Sequence, residues 1–169
     1  MPFNLRQFQK KALKKKRKLI FFLKKFDKLT IPGLDKQVVE IDKTVWNDMN
    51  CMECANCCKT MTPTYKAADV KRISKHLGMS PQEFKDRWLK QERKTKDWVN
   101  KSVPCQFLVD NKCSIYEVRP KDCSGFPHHT KKNFDLYNDM YIQNLGSCPA
   151  TFMLVERLQE RIEKDYVWK

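Results

Sequence analysis

Cys51-Met52-Glu53-Cys54-Ala55-Asn56-Cys57-Cys58 is the stretch on which the reading of this chain turns, because it gathers four of the eight cysteines of a 169-residue protein. Two-residue spacers let a tight loop turn two thiolates toward one ion, and a structural zinc or an iron-sulfur cluster usually takes four such ligands. The neighbours Cys57 and Cys58 point to different partners, since adjacent side chains rarely converge on one ion. With Cys105, Cys113, Cys123 and Cys148 the chain carries enough thiols for two four-ligand sites, or for one site with spare cysteines.

Whether those thiols are ligands or bridges depends on compartment. The first residues are charged, but no apolar stretch of signal-peptide length follows them, so a reducing cytoplasm is the default. Thiols stay reduced there and act as metal ligands or nucleophiles, which argues against disulfides. The longest apolar run near the start, Leu19 to Leu23, is five residues, far short of the roughly 18 that a membrane-spanning helix requires. At 20.2 kDa and 41% hydrophobic residues the chain suits one domain of ordinary size with appendages.

The net charge of +14 is unevenly placed, because residues 1–30 hold eleven Lys or Arg against Asp27 alone. In the same region Leu5, Phe8, Ala12, Leu19, Phe22, Phe26 and Leu29 recur at gaps of three and four, with Lys15 interrupting, which predicts an amphipathic helix ending near Ile31-Pro32-Gly33. Three partners are open for it: the domain itself, an anionic membrane surface or acidic protein, and nucleic acid. The expected organisation is therefore a basic N-terminal helix over residues 1–34 and a cysteine-cluster metal-binding domain over 35–169.

Beyond that helix, Val38, Ile41 and Val45 have helical spacing, although Lys36 to Ile41 also suits a short strand. Tyr65 to Leu77 predicts a helix closed by Gly78, with His76 on its polar side. Ser80-Pro81-Gln82-Glu83 predicts a capped second helix running to about Lys90 with Phe84, Trp88 and Leu89 inward. Cys105 to Tyr116 reads as a hairpin around Asp110-Asn111-Lys112 that pairs Val109 with Cys113 and Phe107 with Ile115. That register separates Cys105 from Cys113 by four strand positions, about 13 Å. Either the ladder is irregular or the two serve different sites. Cys148-Pro149 opens a helix striped by Phe152, Val155, Leu158 and Ile162. The fold class is thus α+β: mostly helical, with a short β-hairpin, built around cysteine-ligated metal.

Thiolate centres carry net negative charge and want cations and donors nearby. Arg119, followed by Pro120 and four residues before Cys123, is placed to bond thiolates or backbone carbonyls, or to pair with Glu117. His128-His129 reads as an exposed turn, with a base or an extra ligand as the alternative. The four glycines make no phosphate-cradling loop, which counts against nucleotide cofactors held in such loops, and no Ser-His-Asp arrangement is legible.

Cys51-x-x-Cys54-x-x-Cys57-Cys58, then Cys105, then Cys113-x-Ile115-Tyr116-x-x-Arg119-Pro120-x-x-Cys123-x-x-Phe126-Pro127 resembles the cysteine-cluster family described as zinc- or iron-chelating, a relative of flagellin lysine N-methylase. The resemblance covers roughly Cys51 to Pro149 and leaves the lysine-rich helix outside. Gln106 and Ser124 depart from it, standing where the family often has proline and arginine. It implies metal binding by the eight cysteines, with zinc and iron, including a 4Fe-4S cluster, as the cofactors in view. Cys51, Cys54, Cys57 and the remote Cys148-Pro149 are similar to a ferredoxin ligand run. A metal-dependent methyltransferase and a zinc-stabilised nucleic-acid-binding module are the alternatives.

Overall fold

The computed structural model describes residues 4–165 and is mostly helical α+β. In chain order the elements are α1 (Leu5–Lys24), α2 (Leu34–Asp48), α3 (Cys51–Cys54), α4 (Asn56–Thr60), β1 (Thr64–Tyr65), α5 (Ala67–His76), α6 (Pro81–Trp88), β2 (Leu89–Gln91), β3 (Trp98–Asn100), β4 (Leu108–Val109), β5 (Lys112–Cys113), α7 (Lys121–Gly125), α8 (Asn138–Asn144) and α9 (Pro149–Asp165). Short 3₁₀ turns lie at Lys25–Asp27, Tyr116–Val118 and Phe134–Tyr137. No helix among the described residues is long and apolar enough to cross a membrane. Two compact units emerge, one from the chain up to Asn50 together with the chain from Pro127, the other from Cys51–Phe126.

The first unit is a helical bundle of α1, α2, α8 and α9. Asn4 caps α1 by accepting the Gln7 N–H at 3.0 Å. The helical period then buries Phe8, Ala12, Leu19, Phe22 and Leu23, as the spacing predicts. The helix stops at Lys24 and passes into the 3₁₀ turn, earlier than Ile31. Val38, Ile41 and Val45 are all buried along α2, which settles helix over strand, because a strand would turn successive apolar residues to alternate faces. Phe8 meets Phe152 of α9 edge to face at 5.7 Å, and Lys11 and Lys15 reach Glu156 at 2.6 and 2.5 Å. Burial works to raise the Glu156 carboxyl, and the two lysines outweigh it, leaving it below the usual carboxylate range. The basic helix therefore packs through its apolar face, with Lys15 bridged to an acid.

The second unit combines α3 to α7 with two small sheets. Ser80 and Glu83 form the predicted capping box at α6, and Gly78 at φ +68° lets the chain leave α5. Tyr65 belongs to a strand and α5 starts at Ala67, while α6 yields at Leu89, because Leu89–Gln91 pairs antiparallel with Trp98–Asn100. The three-stranded sheet has the order β1-β3-β2. Its core gathers Tyr65, Val70, Ile73, Phe84, Leu89, Phe107 and Ile115, with the Phe84 and Phe107 rings stacked at 6.2 Å.

The hairpin corrects the predicted register. Leu108 pairs with Cys113 and Val109 with Lys112 around Asp110-Asn111, both at positive φ (47° and 63°). A two-residue turn of that handedness matches strand twist better than a three-residue loop, and Asp and Asn tolerate it. The ladder ends after two pairs, so Cys105 sits in a turn outside it.

Candidate metal centre

Seven of the eight cysteines belong to the Cys51–Phe126 unit, where Cys54 is buried, Cys51 exposed and the other five half-buried. Cys51 and Cys54 open and close the single turn of α3. Ala55, at φ 48°, then reverses the chain so that α4 presents Cys57 and Cys58. The Cys105 N–H donates to the Cys58 carbonyl at 2.7 Å, which ties the turn before the hairpin to α4. Cys113 ends β5 and Cys123 lies within α7. That last helix is pinned twice: Asp122 accepts the Thr64 N–H at 2.9 Å, and Asp69 of α5 accepts the Lys121 N–H at 3.1 Å.

The result is a cavity of about 130 Å³ whose wall includes Cys51, Cys57, Cys58, Cys105, Cys113 and Cys123. Tyr65, Phe107 and Ile115 form part of its apolar side. Cys54 is buried and absent from this wall, and Cys148 folds with the other unit, at the start of α9. Within the unit, Cys58, Cys105, Cys113 and Cys123 all line this cavity, and the charge of Cys58 bears on each of the other three. Cys51 stands in the same relation to Cys54, Cys57 and Cys58. The irregular ladder brings Cys105 and Cys113 to one cavity, which an extended hairpin would have kept apart.

The thiols differ in kind. Cys57 lies between Cys51 and Cys58, its sulfur 4.0 Å from the Cys58 sulfur with either able to donate. The hydrogen bond with Cys57 is the main cause that lowers the Cys51 and Cys58 thiols to about 7, while Cys57 itself is pushed up. Burial raises Cys54, Cys105, Cys113 and Cys123. Three of these sulfurs each accept a backbone N–H from two residues onward: Cys54 from Asn56, Cys105 from Phe107 and Cys113 from Ile115. Such donors favour the anionic sulfur that a metal ligand must present.

Asn100 adds an independent sign. It is buried, its Oδ1 accepts from the Tyr65 hydroxyl at 2.6 Å and from Gln106 Nε2 at 3.0 Å, and its Nδ2 has no hydrogen-bond partner among the described residues. The Asn100 side chain lies near enough to the Cys105 thiol to favour its thiolate form. A buried amide donor beside a sulfur gains most when that sulfur is a thiolate. Arg119 stands on the cavity wall with its guanidinium 3.7 Å from the Tyr116 ring centre and Nη1 donating to the Tyr116 carbonyl at 2.6 Å. Its charge favours the thiolate at Cys51 and Cys113.

A model of the family described as "CxxCxxCC: putative zinc- or iron-chelating domain" matches residues 50–144, more than half of the chain. The chain belongs to this family. No curated protein and no solved structure gives a significant match. The CxxCxxCC match speaks to chelation and carries nothing about methyl transfer. In this CxxCxxCC protein the cysteines stand as packed and hydrogen-bonded thiols, and among the described residues no three His, Cys, Asp or Glu side chains converge on one point at ligand distance. The donor set fits a soft-ligand metal: thiols around one cavity, N–H groups aimed at sulfur, and a cation on the wall.

The structure also corrects the reading of His128-His129. His129 is 3% exposed, with Nδ1 2.7 Å from Asp42 Oδ1 and Nε2 3.0 Å from Thr151 Oγ1. Both ring nitrogens are engaged, so the residue ties α2 to α9 within the helical unit. Asp69 and Asn100 are the residues that sequence reasoning missed. Asp69 announces itself only as an acid in the first turn of a helix, and Asn100 as one polar residue after Trp98-Val99.

Proposed function

We propose that this protein binds zinc or iron through thiolates of the Cys51–Phe126 unit, with Cys58, Cys105, Cys113 and Cys123 as the principal ligands. What supports the reading is that these four, from separate stretches of chain, line one cavity, with Cys58 near enough for its charge to bear on the other three. Cys51, Cys54 and Cys57 form the neighbouring group, placed to complete a second ion or a multi-iron cluster. Adjacent Cys57 and Cys58 then serve different sets. A metal held there neutralises the sulfur charges and reverses the cost of ionising buried thiols. Arg119 and Asn100 support the thiolates from outside the ligand set, the first by charge and the second by a buried amide near Cys105. Because ligand thiols must stay reduced, the working environment is a reducing, cytoplasmic one.

Single cysteine-to-serine variants, purified without oxygen and assayed for zinc and iron, test the partition. Cys58→Ser, Cys105→Ser, Cys113→Ser and Cys123→Ser are each expected to lose the most tightly held ion. Metal retained in Cys148→Ser would confine the ligand set to Cys51–Phe126. Full metal content in Cys123→Ser and Cys105→Ser would overturn the assignment.

A further inference from the structure

The outward face of α1 is the feature that chelation leaves unused. Its apolar stripe is spent on the helical unit, and Lys11, Lys15 and Lys18 on the adjoining flank meet Glu156 and Glu163 of α9. At 100° per residue, Arg6, Lys10, Leu13, Lys14, Arg17, Phe21 and Lys24 fall within an arc of about 100° on the remaining side. No acidic residue occurs anywhere in α1. Within this cationic arc two large apolar side chains are turned outward, Leu13 at 82% and Phe21 at 69% exposure. They are eight residues apart, about 12 Å along the axis.

We propose that this face of α1 docks on an anionic lipid bilayer, with Leu13 and Phe21 entering the headgroup region and the five cations of the arc meeting lipid phosphates. Charge complementarity selects a polyanionic partner. The two apolar side chains select a bilayer over nucleic acid, since leucine has no ring to stack on bases and the arc contains a single aromatic residue. A 20-residue helix packed along its opposite side, with Phe8 against Phe152, presents this face over about 30 Å, a length suited to an in-plane membrane contact. The cations draw the protein to the surface, and Leu13 and Phe21 hold it there. This docking is independent of the metal reading.

Cosedimentation of the full chain with vesicles tests it, using one part phosphatidylglycerol to two parts phosphatidylcholine, with phosphatidylcholine alone and single-stranded RNA as the comparison probes. Expected are binding to the anionic vesicles, none to the neutral ones, and a loss of about tenfold in partitioning for Leu13→Gln/Phe21→Gln. Both side chains are exposed, so the double variant is expected to melt with the parent. Lys10→Gln/Arg17→Gln is a second variant expected to weaken the same binding. Absence of binding to anionic vesicles would overturn the proposal. So would vesicle binding indifferent to Leu13→Gln/Phe21→Gln, or RNA binding that outcompetes the vesicles.

Discussion

Replacing Asp69 by asparagine cuts the support beneath the cavity while touching no cysteine. The Asp69 side chain is 2% exposed and accepts three hydrogen bonds: from Arg72 Nη2 at 2.7 Å, from the Lys66 N–H at 3.0 Å and from the Lys121 N–H at 3.1 Å. Arg72 in turn donates to the Arg119 carbonyl at 2.8 Å. One carboxylate thus caps α5 and fastens the segment that carries Arg119 and Cys123. An amide oxygen serves one edge of this cluster, and the NH₂ group then confronts donors on the other. Bonds to a buried charge contribute about 1.5–3 kcal/mol each, and the half-exposed Arg72 recovers water, so the expected cost is about 2–4 kcal/mol. Urea unfolding of metal-loaded protein at neutral pH should show a midpoint lowered by about 1–2 M with an unchanged slope.

Acidity supplies the second arm of that test. Burial works to raise the Asp69 carboxyl, while Arg72 and the two N–H groups outweigh it and leave it below the ordinary value. A depressed folded value means that the stabilisation is complete above the unfolded pKa of about 3.9 and is lost as pH falls through the folded value. The stability difference between the parent protein and the Asp69→Asn variant should therefore hold constant near neutrality and shrink below about pH 4. A cost under about 0.5 kcal/mol, or a difference that widens in acid, would refute the argument.

Other outcomes follow from the same packing. Phe84→Ala removes a fully buried ring stacked on Phe107 and should lower stability by about 3–5 kcal/mol, read from the urea midpoint. Asn100→Leu should weaken metal affinity about tenfold or more in a chelator competition, because it removes the polar amide that favours the thiolate at Cys105. Ser80→Ala should cost about 1 kcal/mol through the lost cap on α6, with metal content unchanged.

Local signals were legible wherever the chain's own neighbours decide the structure. The capping box at Ser80 and Glu83, the turn at Gly78 and the stripe of α9 through Phe152, Val155, Leu158 and Ile162 could be read from spacing alone. So could the apolar face of α1. Long-range pairing escaped. Leu89 suits a helix until Asn100 claims it as a strand partner, and the hairpin register turned on whether Asp110 and Asn111 would accept positive φ. The cysteine run marked part of the cavity wall, but the arrival of Cys105 and Cys113 at the same cavity depends on a ladder that ends after two pairs. His129 looked exposed because its partners, Asp42 and Thr151, lie 87 and 22 residues away.

The central claim is that these thiols are ligands, and metal content read together with thiol reactivity tests it most directly. Protein purified without oxygen should carry at least one zinc or iron per chain, with Cys58, Cys105, Cys113 and Cys123 shielded from a thiol reagent until a chelator strips the metal and loosens the Cys51–Phe126 unit. Brown colour with acid-labile sulfide would identify a cluster, and colourless protein with stoichiometric zinc a thiolate site. Folded protein free of both metals, melting alike with and without chelator and with the four thiols freely reactive, would contradict the account.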